Sequence, residues 1–216
     1  MPEELNLTPD ILYRRMAKQL GERLPGTFSH LRMLPAGRVL QLPADQPHFI
    51  HSAVLVLLFP FRHKIMTCLI RRPSTMKNHA GQIAFPGGKQ EKEDRDLVGT
   101  ALREANEEIG LAIEEVQLLG TLTPVYVQVS NFLITPVVAW SQDLPEIRID
   151  PSEVDEAFFI ALEDLVDEEK CVEREVDTST GKIIVPGFDI NGCFIWGATA
   201  MLLAELADIY RDNAQL

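Results

Sequence analysis

Apolar residues recur along the chain with two spacings. An apolar residue at every third or fourth position predicts amphipathic helices, at residues 8–22, 96–109 and 197–211, with a short acidic helix at 162–168. Continuous or alternating apolar runs predict strands, at residues 52–59, 64–70, 116–122, 132–139, 157–160, 172–176 and 183–188. Because helices and strands interleave at short spacing, the sequence predicts an α/β sandwich built on a mixed β-sheet.

The segment before the first strand contains many residues that interrupt helices and strands. Residues 25–48 include four prolines and two glycines, which predicts a connecting arm. We therefore expect an N-terminal helix and arm at residues 1–48 and the main domain at residues 49–216. A lid over a site and a contact in a homodimer are both open roles for residues 1–48.

The net charge of the chain limits the classes of partner that it is expected to bind. With 20 Lys and Arg against 32 Asp and Glu, the net charge is −12, which argues against a general nucleic-acid binder and against docking on anionic membranes. Between Asp45 and Glu91 there is no carboxylate, whereas six Lys or Arg occur there. This asymmetry either marks an anion site or reflects chance clustering around two buried strands.

Cysteine usage and the absence of export signals favour the cytoplasm. Three cysteines without a CxxC spacing are not expected to form a disulfide framework or a structural zinc site. The first residues lack the apolar stretch of a signal peptide, and no apolar run approaches the length of a membrane-spanning helix.

Three glutamates on one predicted helix form the first candidate functional site. Glu104, Glu107 and Glu108 lie on one side of the predicted helix, where like charges destabilise by about 0.2–0.5 kcal/mol per pair and where the helix dipole disfavours carboxylates. A divalent cation would remove both penalties, and ligands that are all oxygen favour Mg²⁺ or Mn²⁺. A solvated acidic face is the alternative, but the Gly87-Gly88 turn before the helix favours a ligand site, with the Gly87 carbonyl as a further metal ligand.

The same helix carries a family resemblance. REANEEIGL, from Arg103 to Leu111, resembles the second half of the Nudix box, G-x5-E-x7-R-E-U-x-E-E-x-G-U, in which U is aliphatic. Gly88 corresponds to the opening glycine, but the first half is one residue longer than the pattern, which makes Asp94 and Glu93 the candidates for its outer acid. The resemblance implies a Nudix-type α/β/α sandwich.

Two further segments narrow the resemblance. Residues 72–88, RPSTMKNHAGQIAFPGG, are similar to the motif L-L-T-x-R-[SA]-x3-R-x3-G-x3-F-P-G-G of coenzyme A pyrophosphatases in the Nudix superfamily, and residues 194–200, FIWGATA, resemble their F-x-W-G-x-T-A segment. The departures from the first motif are Cys68, Ile70, Pro73 and Lys77. The resemblance implies metal-dependent hydrolysis of coenzyme A or its derivatives to 3′,5′-ADP and 4′-phosphopantetheine.

The resemblance also implies a role for each matching residue. Glu104, Glu107 and Glu108, with the Gly87 carbonyl, would hold Mg²⁺ or Mn²⁺, and Arg103 would orient a carboxylate. The candidates for contact with the substrate are Arg72, Lys77 and Gly88.

Several alternatives stay open at this point. The general base is either Glu104 or an acid of a later loop, Glu153 or Glu156, although a solvated acidic turn is the preferred interpretation of that loop. Trp196 is interpreted as a core residue rather than as a platform for adenine. Another nucleoside diphosphate derivative, such as ADP-ribose, is the alternative substrate. A non-catalytic ligand-binding module ranks last because all three helix glutamates are present.

Overall fold

The computed structural model of the chain describes residues 8–38, 40, 49–74, 80–178 and 181–214. Within these residues the α-helices are α1 (Pro9–Leu20), α2 (Thr27–Leu31), α3 (Leu97–Ile109), α4 (Leu162–Leu165) and α5 (Gly197–Ala214). The strands are β1 (Ile50–Phe61), β2 (Lys64–Arg71), β3 (Ile83–Ala84), β4 (Gly87–Lys89), β5 (Val116–Thr121), β6 (Val125–Val127), β7 (Phe132–Ser141), β8 (Glu156–Ala161), β9 (Cys171–Thr178), β10 (Gly181–Ile190) and β11 (Cys193–Trp196).

The strands form two sheets. The larger has the order β3-β2-β1-β7-β5, with β4 paired to β1, β6 to β7 and β8 to β2. The pairing of β1 with β7 is parallel, whereas β1 pairs with β2 in the antiparallel sense. The smaller sheet has the order β11-β10-β9. The predicted mixed sheet is therefore confirmed.

Helices cover both faces of the larger sheet because alternate residues of β1 point to opposite sides. Leu55 and Leu57 pack in one core with Ala101 and Ala105 of α3. Val56 lies in the other core, together with α1 and α5. This arrangement is the predicted α/β/α sandwich, and it holds α3 firmly against the sheet.

The N-terminal segment packs into the core beside α5. In α1, the Thr8 hydroxyl accepts an N–H bond at the first turn, and Leu12 and Met16 are buried in the core that contains α5. The segment predicted to be a connecting arm contains a short helix, α2, which the sequence did not predict. The local composition does not favour a helix there, and packing against α5 stabilises it.

Glu205 of α5 connects three segments through a fully buried carboxylate. It accepts N–H bonds from Gly26 and Thr123, both at 3.0 Å, and an O–H bond from the Thr123 hydroxyl at 2.7 Å. His30 Nε2 lies 3.0 Å from its second oxygen. The buried charge is thus surrounded by polar partners, as a stable fold requires.

Other differences from the predicted elements occur where hydrogen bonding to a neighbouring strand, rather than an apolar pattern in the sequence, determines the local structure. The sequence predicts no strand between residues 70 and 116, but β3 and β4 lie there. β4 has the sequence Gly-Gly-Lys and is a strand because its backbone pairs with Ser52–Val54 of β1. The acidic helix predicted at 162–168 ends at Leu165 and is followed by a 3₁₀ turn, Glu168–Lys170. Among the described residues, no helix is both long and apolar enough to span a membrane.

Candidate metal centre

Helix α3 has defined ends that fix its acidic face in place. The Asp96 carboxylate accepts the Gly99 N–H at 2.8 Å at the N-terminus, an arrangement that stabilises helix starts. Gly110 ends the helix in the left-handed region, with φ of 64°, where glycine is favoured. The glutamates therefore occupy the last two turns of a rigid element.

The turn before α3 brings backbone against these glutamates. A Cβ on Gly87 would lie 2.3 Å from the carbonyl oxygen of Ala53, and a Cβ on Gly88 would lie 2.5 Å from the carboxylate of Glu104. The Gly87 N–H donates to Glu108 Oε2 at 2.8 Å. Both glycines thus permit a close approach that a side chain would prevent.

Three carboxylates converge beside this turn. Glu104, Glu108 and Glu153 each offer an oxygen, and these atoms lie within 4.8 Å of one another. Glu153 follows a loop that docks on the end of α3, where the Asp150 N–H donates to the Glu108 carbonyl at 3.0 Å and the Arg148 N–H to the Ile109 carbonyl at 2.8 Å. The loop that was interpreted as a solvated turn therefore places one of its acids against the helix.

Burial makes this cluster unfavourable without a cation. Glu108 is only 2% exposed, and this burial raises its pKa to about 8, against a lowering by the Gly87 N–H and Arg72. Burial also raises the pKa of Glu104. Charged groups leave water only at a large energetic penalty, and three convergent carboxylates are a suitable ligand set for a hard divalent cation. The residues present fit a metal of this kind.

Arg103 holds the edge of the cluster through short contacts. Its Nε and Nη2 lie 2.8 and 3.0 Å from the two oxygens of Asp94, and Nη2 also lies 3.0 Å from Glu104 Oε1. Its Nη1 lies 2.7 Å from Glu107 Oε2. These hydrogen bonds from Arg103 hold the pKa of Asp94 well below its usual value.

The structure distinguishes the two candidates for the outer acid of the box. Asp94 lies against Arg103 with a side chain that is 5% exposed. Glu93, by contrast, is exposed. The position of Asp94 is the one that can orient Arg103 and, through it, Glu104.

Glu107 is not part of the converging set. Its side chain is 50% exposed and points to Arg103. Along an α-helix, position i+3 lies to one side of position i and position i+4 lies to the other, so Glu107 and Glu108 flank Glu104 on opposite sides. The metal-binding role of Glu107 stays a prediction.

The other candidates differ in their relation to the cluster. Arg72 Nη1 lies 3.7 Å from Glu108 Oε1, which places this side chain at the site. Lys77 lies outside the described residues. Glu156 pairs with Arg71 at 3.2 Å instead, and Trp196 is half-buried at the end of β11.

From the sequence, Glu153 is a candidate for the general base, but a solvated turn is the preferred interpretation of its loop. The signal that identifies it is the docking of its loop on α3, through contacts between residues that are 39 and 42 positions apart in the chain. No local spacing relates Glu153 to Glu104, so only the fold brings them together.

Comparisons with known proteins place the chain in a family. The NUDIX domain family matches residues 49–187. The chain is 35% identical over 170 residues to the Nudix hydrolase NudL of Pectobacterium atrosepticum, covering 78% of this chain and 88% of that protein. It is 32% identical over 157 residues to NudL of Photorhabdus laumondii, covering 73% and 83%.

Two solved structures share the fold. A Nudix hydrolase from M. smegmatis, RenU, is 17% identical with a TM-score of 0.50, covering 76% of this chain and 87% of that one. The MutT protein from Methanosarcina mazei is 17% identical with a TM-score of 0.51, covering 79% and 99%.

Proposed function

The chain belongs to the NUDIX domain family and is a Nudix hydrolase, and from this premise we propose that it cleaves the pyrophosphate bond of coenzyme A or its derivatives. The products would be 3′,5′-ADP and 4′-phosphopantetheine or its acylated form. The observation that carries the hydrolytic part is the convergence of Glu104, Glu108 and Glu153. The choice of coenzyme A rests on the similarity of residues 72–88 and 194–200 to the coenzyme A pyrophosphatase motifs.

The carboxylates would hold Mg²⁺ or Mn²⁺. When bound, such a cation neutralises phosphate charge and makes water a better nucleophile at neutral pH. Glu104, Glu108 and Glu153 supply the oxygens that converge, and the Gly87 carbonyl is a further candidate ligand. The Gly87 N–H keeps one oxygen of Glu108 in a fixed direction.

Proton transfer from the attacking water needs a carboxylate near the cluster. Glu104 and Glu153 are both placed for this role, since each has an oxygen in the convergent set. Arg103 contacts Glu104 at 3.0 Å, which partly opposes the raising of the Glu104 pKa by burial. Glu153 is exposed and is the carboxylate that solvent water reaches most readily.

Arg72 would contact the phosphates of the substrate. Its guanidinium lies at the cluster, and a planar fork of donors suits phosphate oxygens better than a single ammonium does. Gly88 is proposed as a substrate contact on the basis of the motif, since the space that a Cβ there would fill is taken by the Glu104 carboxylate. Lys77 is proposed as a second cationic contact on the basis of the motif alone.

Product analysis tests the proposal. Coenzyme A and ADP-ribose are digested in parallel with Mg²⁺ or with Mn²⁺, and the products are identified by mass spectrometry. We expect 3′,5′-ADP from coenzyme A, and Glu104→Gln should abolish its release. Intact coenzyme A together with cleaved ADP-ribose would assign the alternative substrate. Failure to cleave either would support a ligand-binding module instead.

A further inference from the structure

The two oxygens of Glu108 have different surroundings. Oε2 accepts the Gly87 N–H at 2.8 Å, whereas Oε1 lies 3.7 Å from Arg72 Nη1. The carboxylate side chain is 3% exposed and that of Arg72 is 24% exposed. Arg72 is therefore the positive charge beside the oxygen that Gly87 leaves free.

The same carboxylate belongs to the convergent set. An oxygen of Glu108 lies within 4.8 Å of oxygens from Glu104 and Glu153. A cation held by these three groups would lie close to the guanidinium of Arg72. Because like charges at such distances repel strongly in a partly buried site, the metal and Arg72 would compete for Glu108.

Arg72 is held in a way that allows its side chain to leave. Its backbone is fixed, since its N–H donates to the Gln82 carbonyl at 3.0 Å and its carbonyl accepts the Gly81 N–H at 3.1 Å. Its 3.7 Å ion pair with Glu108 is longer than a hydrogen bond. Arg103, in contrast, is locked by contacts of 2.8 and 3.0 Å to Asp94.

We propose that Arg72 is an exchangeable cation, which occupies the place beside Glu108 before a metal binds and is released toward the substrate phosphates when the metal takes that place. This inference rests on the proposed function for its second half, the phosphate contact. It implies that Arg72 weakens metal binding in the free protein and strengthens substrate binding once the metal is present. Metal and phosphate then bind in that order.

Arg71 provides a matched control. It precedes Arg72 and its loss removes the same charge, but it pairs with Glu156 at 3.2 Å and contacts the sulfur of Cys193 at 3.3 Å. A general electrostatic effect of losing one positive charge near the site would appear in both variants. A specific exchange at Glu108 would appear only when Arg72 is changed.

The first test measures Mn²⁺ binding to the metal-free full chain without any nucleotide, from the free Mn²⁺ signal in electron paramagnetic resonance. We expect Arg72→Gln to bind Mn²⁺ about tenfold more tightly than the wild type, and Arg71→Gln to remain within about twofold. Mn²⁺ binding by Arg72→Gln that equals or is weaker than that of Arg71→Gln would overturn the exchange. If Arg72→Gln does not fold, Arg72→Met serves as the uncharged variant.

The second test addresses the phosphate contact. With saturating Mn²⁺, Arg72→Gln should raise the KM for coenzyme A by about tenfold or more, while Arg71→Gln should not. An unchanged KM would overturn this half of the inference. Absence of coenzyme A hydrolysis in the wild type would refute the proposed substrate, yet the Mn²⁺ titration would still decide whether Arg72 competes with the metal.

Discussion

Asp94 is our candidate for the acid that completes the lengthened first half of the Nudix box, because it is the one that contacts Arg103. Its carboxylate accepts bonds from Arg103 Nε at 2.8 Å and Nη2 at 3.0 Å, and from the Thr100 hydroxyl and the Glu91 N–H at 2.9 Å each. Asp94→Asn keeps the size of the side chain but removes its charge and turns one acceptor into a donor. We therefore expect this change to release Arg103 from its fixed position.

The contacts set the size of the effect. Hydrogen bonds to charged groups contribute about 1.5–3 kcal/mol each, and two of those to Asp94 come from Arg103. Because the Arg103 side chain is 24% exposed, water screens part of the interaction, and a net loss of about 2 kcal/mol in the free energy of unfolding is expected. Partners that orient ligands typically change activity by about 10- to 100-fold, so hydrolysis should fall by that factor.

Urea unfolding at pH 7 and steady-state hydrolysis of coenzyme A measure both effects. Glu93→Gln is the matched control, since it removes the same charge from an exposed neighbour that was the competing candidate. The assignment would be refuted if Asp94→Asn had full activity and a free energy of unfolding within about 0.5 kcal/mol of the wild type. An equal loss in Glu93→Gln would do the same.

Three further predictions concern other residues. The raised pKa of Glu108, about 8 against 4.5 when unfolded, means that the unfolded chain loses this proton first as pH rises. The free energy of unfolding of the metal-free protein should therefore fall by up to about 5 kcal/mol between these pH values, and Glu108→Gln should flatten that pH dependence in thermal melts. Glu205→Leu should lower the unfolding free energy by about 3 kcal/mol because it leaves buried donors unpaired, and a change below about 1 kcal/mol in urea would contradict this. Gly88→Ala should weaken Mn²⁺ binding by displacing the Glu104 carboxylate, whereas Gly99→Ala, with its nearest neighbour at 3.6 Å, should bind Mn²⁺ normally.

The parts of the fold that sequence patterns predicted are those with a repeating apolar signal. The continuous apolar run of β1 reflects a strand that is buried on both faces. The apolar stripe of α3 reflects a helix that is buried on one side, so in both elements the pattern and the packing agree. β4 has no such signal, because its glycines contribute backbone pairing rather than apolar surface. The same limit explains α2, which forms against α5 in a segment rich in proline and glycine.

The residues of the candidate site also fall into two groups, those whose spacing predicts that they meet and those that only the fold brings together. Glu104 and Glu108 share one helix, so their spacing alone predicts that they lie on the same side. Glu153 joins them only because its loop docks on the end of α3. The outer acid could not be assigned from the sequence, because the first half of the box is one residue too long and leaves both Asp94 and Glu93 as candidates. Their exposure and the contacts of Arg103 distinguish them.

Two cations of the basic stretch between Asp45 and Glu91 form ion pairs with acids from later in the chain. Lys64 pairs with Glu163 at 2.7 Å and Arg71 with Glu156 at 3.2 Å, so acids from later strands and helices neutralise both. Arg72 instead lies against the buried carboxylate cluster. The stretch is therefore not a uniform anion-binding surface. Of these three cations, Arg72 is the one beside the carboxylate cluster, where the proposed cation and substrate phosphates would bind.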